Sequence, residues 1–176
     1  MRRVLYFLKE LEAKDVDWFI ANGVKNTLPK GMILINENQY VSALYLVTKG
    51  ALIVSVPSQH DTEIAILKEG ELVGELSFLD SRPPNATVTA AMDTTVLAIP
   101  RWKLEAKLEE DPQFASRFYR ALGVLLANRL RKTVSHLGFP HPDSLKGVNL
   151  HDQKALDSAA LAEDWLDFIL RKFNDP

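Results

Sequence analysis

Residues 74–88, GELSFLDSRPPNATV, are the stretch whose types and spacing best suit specific chemistry. The segment is too short and acidic for a core strand. It suits one or two helical turns followed by a proline-rich loop, and such an insertion between strands reads as a ligand loop. Catalytic chemistry has no comparable support. Of the four histidines, His60 falls in an expected turn, His136 late in a helix, and His141 and His151 in a linker. A metal-dependent β-barrel enzyme needs a clustered His/Glu set instead. No Ser/His/Asp arrangement, Walker-type loop or paired-carboxylate site emerges. The absence of cysteine excludes disulfides, thiolate zinc sites, iron–sulfur clusters and cysteine nucleophiles. The expectation is a chain that is not an enzyme and uses no metal or cofactor.

The elements around this loop are legible from periodicity. Leu5, Leu8, Leu11, Val16, Phe19 and Ile20 recur at helical spacing, and Asn22-Gly23 supplies a stop. From Val24 to Ile99 short β-branched runs alternate with turn residues. MILI (32–35), ALYLV (43–47), ALIVSV (51–56), the alternating 62–67, ATVTAA (86–91) and TTVLAI (94–99) read as strands. Their spacing suggests an all-β sandwich or barrel rather than βαβ units. RWKLEAKLEED (101–111) reads as a short helix. A long helix over 112–137 follows, opened by Pro112 with Asp111 as a cap and closed by Gly138. Its face carries Phe114, Phe118, Leu122, Leu125, Leu126, Arg129, Leu130, Val134 and Leu137. Residues 139–151 read as a linker and 152–176 as an amphipathic tail helix.

Composition bounds the chain to one domain with appendages. It has 176 residues, 47% hydrophobic and 25% charged, with a net charge of -2. The uncharged runs 38–48 and 50–60 are too short to span a membrane, and Met1-Arg2-Arg3 is followed by too short an apolar run for a signal peptide. A cytoplasmic location without membrane contact is expected.

The order of helix, short strands with glycine turns, loop, closing strands, small helix and long helix resembles the cyclic-nucleotide-binding domain family over about residues 5–138. Gly31, Gly50 and Gly70 fall where that family turns between strands. Gly70-Glu71-Leu72-Val73-Gly74-Glu75-Leu76-Ser77 resembles its G-x-x-F-G-E-L-[AS] phosphate cassette, with Val73 replacing Phe. The resemblance implies a mainly β fold with flanking helices. The expected architecture is a β jelly-roll barrel (24–100) behind an N-terminal helical part (1–23), with C-terminal helices over 101–138 and the tail helix beyond. It also implies a ligand, cyclic AMP or cyclic GMP. Backbone N–H groups of Leu76 to Phe78 at a helix N-terminus would face the cyclic phosphate, with Gly74 allowing close approach. Glu75 would accept from the ribose 2′-OH, and Ala86 closes the loop.

The pattern breaks at the countercharge. The family places an arginine for bidentate phosphate recognition where this sequence has Pro84, followed by Asn85. Arg82, two residues earlier, is the nearby cation. Loss of a charge-assisted pair costs about 1.5–3 kcal/mol. Since about 1.4 kcal/mol is tenfold, a micromolar site becomes about tenth-millimolar or weaker. Two readings follow. One is a regulatory sensor that binds a cyclic nucleotide weakly through 74–86. The other is an adaptor whose pocket is vestigial.

Output is expected through helices. Leu122, Leu126, Leu130, Val134 and Leu137 exceed what one buried stripe needs and suggest a homodimer. Arg117, Arg120, Arg129, Arg131 and Lys132 give this region an excess of positive charge, read as a solvated face balanced by acids elsewhere. Trp165, Leu166, Ile169 and Phe173 on the tail would fold back on the chain or dock into a protein partner. The tail is net acidic and holds one helix, so DNA contact is not expected.

Overall fold

The computed structural model describes residues 5–56 and 62–136. The element order is α1 (Leu5–Leu8), α2 (Ala13–Asn22), β1 (Val24–Leu28), β2 (Ile33–Ile35), β3 (Ala43–Lys49), β4 (Ala51–Val56), β5 (Thr62–Lys68), β6 (Leu72–Val73), α3 (Glu75–Asp80), β7 (Thr87–Ala90), β8 (Thr94–Pro100), α4 (Arg101–Glu110) and α5 (Pro112–His136). The linker and tail helix expected over 139–176 lie outside the described residues, as do Leu137 and Gly138.

Eight antiparallel strands form two sheets, in the orders β1-β8-β3-β6 and β2-β7-β4-β5. They build the jelly-roll fold, but the sheets do not close on one another. The expected barrel is therefore corrected to two open sheets face to face. Sequence reading also left out two strands. β1 pairs along its whole length with β8, from Val24↔Ala98 to Leu28↔Thr94. Its VKNTL sequence is too polar to stand out, because it is an edge strand with one core residue, Leu28. β6, two residues long, pairs with Tyr45 and Leu46 of β3.

The core has two layers. Tyr45, Val47, Leu52, Val73, Val88 and Val96 belong to a cluster between the sheets. Leu44, Leu46, Leu72, Leu97 and Ile99 point the other way, into a helical cluster with Phe19, Phe114 and Phe118. β3 and β8 are thus covered on both faces, which is why they read as continuous apolar runs. β5, at a sheet edge, is the opposite case. Its alternating Ile64 and Ile66 face solvent, while Leu67 is buried against the β4 side.

The N-terminal helical stretch is broken in two. Glu12 ends the turn after α1 and caps α2: its side chain accepts from the backbone at Asp15, and Asp15 Oδ2 accepts from the Glu12 N–H at 2.8 Å. α2 stops at Asn22, as expected. Gly23 there is extended, with φ −77. Its glycine identity reflects space, because a Cβ would lie 2.2 Å from Leu97 Cδ1. Asp111 separates α4 from α5 and caps the latter, its Oδ1 accepting the Phe114 N–H at 2.9 Å.

Candidate ligand loop and its helical supports

The loop begins where β6 ends. Pairing of Val73 with Tyr45 carries the chain to Gly74, which adopts φ 91. A Cβ there would also meet the Ala43 carbonyl at 3.0 Å, so conformation and space both demand glycine. α3 then starts at Glu75. The expected trio of donors is corrected: the Phe78 N–H is already used, donating to the Gly74 carbonyl at 3.1 Å. Helix geometry leaves the N–H groups of residues 75, 76 and 77 without intrahelical acceptors. Leu76 is exposed, whereas Glu75, Ser77 and Phe78 are buried.

Residues 81–86 return the chain to β7. Ser81 takes a left-handed conformation, φ 58, and its N–H donates to the Ser77 carbonyl at 3.1 Å. The return is tied to the turn after β2. The Asn38 N–H donates to the Pro84 carbonyl at 2.9 Å, and the Glu37 N–H to Thr87 Oγ1 at 3.1 Å. Asn85 is exposed and Ala86 half-buried. Arg82 does not turn toward Glu75. Its side chain is 84% exposed and lies beside Asp80, with Nε 3.9 Å from Oδ2.

Two arginines from distant helices reach the loop instead. Arg129 of α5 donates to the Glu75 carboxylate and to the Leu72 carbonyl. Arg101, the first residue of α4, donates to the Ser77 carbonyl at 2.8 Å and to Ser81 Oγ at 2.8 Å. Glu75 is therefore an ion-paired carboxylate in this structure. Neither role is expected from the sequence. A signal existed for Arg129: it stands four residues after Leu125 and seven after Leu122, on a face that is otherwise buried. Arg101 follows Ile99-Pro100 and carries no comparable mark.

The other side of the site is apolar. Tyr45 lies behind Gly74, and burial pushes its phenol above the usual tyrosine range against a lowering hydrogen bond with Ser42. Phe78 extends from α3 into the helical cluster, edge-on to Phe118 of α5 at 5.7 Å between ring centres. A shallow cleft between α2 and α4, lined by Trp18, Asn22, Trp102, Ala106 and Lys107, has no residue of this loop in its wall.

α5 divides its residues differently from the expected dimer stripe. Leu122 is corrected: it is 1% exposed and belongs to this chain's own core with Phe114, Phe118 and Leu125. Leu126 is half-buried, while Leu130 and Val134 are exposed. The arginines are largely paired. Arg117 holds Asp15 through two bonds of 2.6 and 2.7 Å, and Arg120 holds Glu10 at 2.6 Å. Trp165, Leu166, Ile169 and Phe173 lie outside the described residues. No described helix is long and apolar enough to cross a membrane, and no cluster of metal-binding side chains occurs among the described residues.

A family model described as the cyclic nucleotide-binding domain matches residues 25–111. The cyclic AMP receptor protein of Thermus thermophilus is 32% identical over 124 residues, 69% of this chain and 56% of that protein. The chain spans just over half the length of these curated relatives. The N-terminal domain of a transcriptional regulator from Streptomyces coelicolor superposes with a TM-score of 0.61 at 30% identity, covering 77% of this chain and 95% of that one. A cyclic nucleotide-binding domain from Methylobacillus flagellatus reaches a TM-score of 0.67 over 84% of this chain and 85% of its own, at 18% identity, a likeness of fold.

Proposed function

We propose, from the premise that this chain belongs to the cyclic nucleotide-binding domain family, that it is a non-catalytic regulatory module in which a weakly held cyclic nucleotide in the 74–86 loop changes the setting of α5. The observation that carries this reading is the Glu75–Arg129 pair. The carboxylate that the family resemblance assigns to the ribose hydroxyl is the same group that ties the loop to the long helix. A ribose hydroxyl donating to Glu75 competes with the Arg129 guanidinium for the same oxygens. Ligand occupancy and helix attachment are then linked equilibria.

The output of this module is a protein surface. Leu126, Leu130 and Val134, with Tyr119, leave an apolar strip along α5 that suits a homodimer. Paired arginines at 117, 120 and 129 leave α5 a poor phosphate reader within the described residues. In the sequence beyond the described residues, Trp165 and Phe173 would anchor a protein partner. Loss of partner capture in a Trp165→Ala/Phe173→Ala variant tests that role.

A specific observation favours the second reading, an adaptor with no nucleotide. Pro84 stands where the family carries its phosphate arginine, and Arg82 is turned to solvent. Titration calorimetry with cyclic AMP, cyclic GMP and cyclic di-GMP up to millimolar decides between them. Saturable binding that Glu75→Gln weakens supports the sensor. Silence with all three supports the adaptor.

A further inference from the structure

We propose that Arg101 is a positioning residue for the loop. It pins the C-terminal end of α3 to the point where β8 passes into α4. The proposal rests on reading α3 as the ligand-holding element.

The base of the clamp is bonded to the sheet. The Arg101 N–H donates to the Ser42 carbonyl at 2.9 Å, directly after Pro100 pairs with Ala43 of β3. Its side chain is 11% exposed and is oriented by Glu105, which accepts from Nε at 2.7 Å. The guanidinium lies 5.3 Å from the Phe78 ring centre and 5.7 Å from that of Tyr40. From there the fork covers three acceptors at the end of α3: the carbonyls of Ser77 and Phe78, at 2.8 and 3.4 Å, and Ser81 Oγ at 2.8 Å.

The Phe78 carbonyl lies in the last turn, where the helix offers no donor of its own, whereas the Ser77 carbonyl already accepts from the Ser81 N–H at 3.1 Å and takes Arg101 as a second donor. A six-residue helix ends with orphan carbonyls, and a cation beside them is favourable. Ser81 is also a non-glycine residue in the left-handed region, a conformation that persists only when its surroundings hold it. Arg101 supplies that hold. Lysine cannot substitute, because one ammonium on a flexible stem does not reproduce a planar fork over three oxygens. The opposite end of α3 follows β6 after one residue and is tied through Glu75 to Arg129 of α5. A ligand that engages Glu75 therefore acts on the end of α3 away from Arg101.

Hydrogen exchange measured by mass spectrometry on the ligand-free, full-length chain tests this. Arg101→Lys and Arg101→Ala are both expected to speed exchange of the amides at residues 80–82 about tenfold, equivalent to about 1.4 kcal/mol. Amides of β8 stay as in the wild type. Ser81→Ala, which removes one acceptor and leaves the fork intact, is expected to give about a threefold change at the same amides. Wild-type exchange in Arg101→Lys overturns the proposal. Acceleration spread equally through β3 and β8 also overturns it, since that is general destabilisation. None of these readouts needs a nucleotide. If calorimetry shows no binding while the exchange pattern is local, the ligand reading fails and the clamp stands. If nucleotide binds and Arg101→Lys changes neither exchange nor affinity, the clamp fails and the ligand reading stands.

Discussion

Arg129 reaches from the C-terminal half of α5 across 54 residues of sequence to the carboxylate of Glu75, and its other terminal nitrogen donates to the Leu72 carbonyl. The Glu75 side chain is 5% exposed and that of Arg129 29%. Removing the arginine strands a buried carboxylate. Arg129→Met is expected to cost about 3 kcal/mol, the low end for a broken buried pair because Arg129 keeps some water contact. Glu75→Gln combined with Arg129→Met should recover part of that loss, and a double-mutant cycle by urea denaturation measures the difference.

A second pair holds α2 to α5. Asp15, 2% exposed, takes two bonds from Arg117 and a third from the Glu12 N–H. The Asp15 hydrogen bond is the main cause that raises the Arg117 pKa further above its usual value. Arg117→Met is expected to destabilise by about 3–4 kcal/mol, with Asp15→Asn/Arg117→Met less affected than the single variant. Chemical denaturation monitored by tryptophan fluorescence checks this.

Asp111 gives a pH dependence of known sign. Its carboxyl is held below the usual range, first by the Phe114 N–H and then by Lys107. A pKa lowered by folding means the cap contributes at pH above the unfolded value and loses that contribution as pH falls through the folded value. Asp111→Ala should therefore lower the thermal midpoint at neutral pH, and the gap to the wild type should close in acid below the ordinary carboxylate range. Paired melting curves from pH 7 downward follow it.

Gly23 is a packing glycine. Its Cβ would meet Leu97 Cδ1 at 2.2 Å and the Phe19 carbonyl at 2.8 Å, although φ −77 suits any residue. Gly23→Ala is expected to cost about 1–3 kcal/mol by overpacking. A Leu97→Val background, which shortens the obstructing side chain, should reduce the penalty, as read by urea midpoints.

In the proposed reading, Pro84, followed by Asn85, stands where the family resemblance places its phosphate arginine. If the remaining cassette is intact, Pro84→Arg/Asn85→Ser should tighten cyclic-nucleotide binding about tenfold to a hundredfold, the range set by one charge-assisted pair. Calorimetry on wild type and variant measures the ratio. No gain means that the loop geometry itself, with the Pro84 carbonyl engaged by Asn38, does not present residue 84 to the ligand.

Local signals made most of the fold readable. The runs at 43–47, 51–56 and 94–99 fall within β3, β4 and β8 because doubly or largely covered strands are apolar without interruption. Asp111-Pro112 marked a helix boundary because capping chemistry is local in sequence. β1 and β6 escaped because one is a polar edge strand and the other is defined only by its partner across the sheet. Ile64 and Ile66 show the converse error of periodicity: alternation gives two faces but does not say which one is covered.

The candidate site divides along the same line. The sequence by itself determined the loop, its glycine and its short helix, since each is a matter of residue type at a fixed spacing, and the family resemblance marked Pro84 as the position of the phosphate arginine. Only the tertiary structure decided which cations serve the loop. Arg82, nearest in sequence, points to solvent, whereas Arg101 and Arg129 arrive from helices that pack over the same sheet. It also decided that Leu122 is core while Leu130 and Val134 are surface. The physical reason is that a guanidinium acts over a few ångströms in space, and a helix shows its faces only once it is docked.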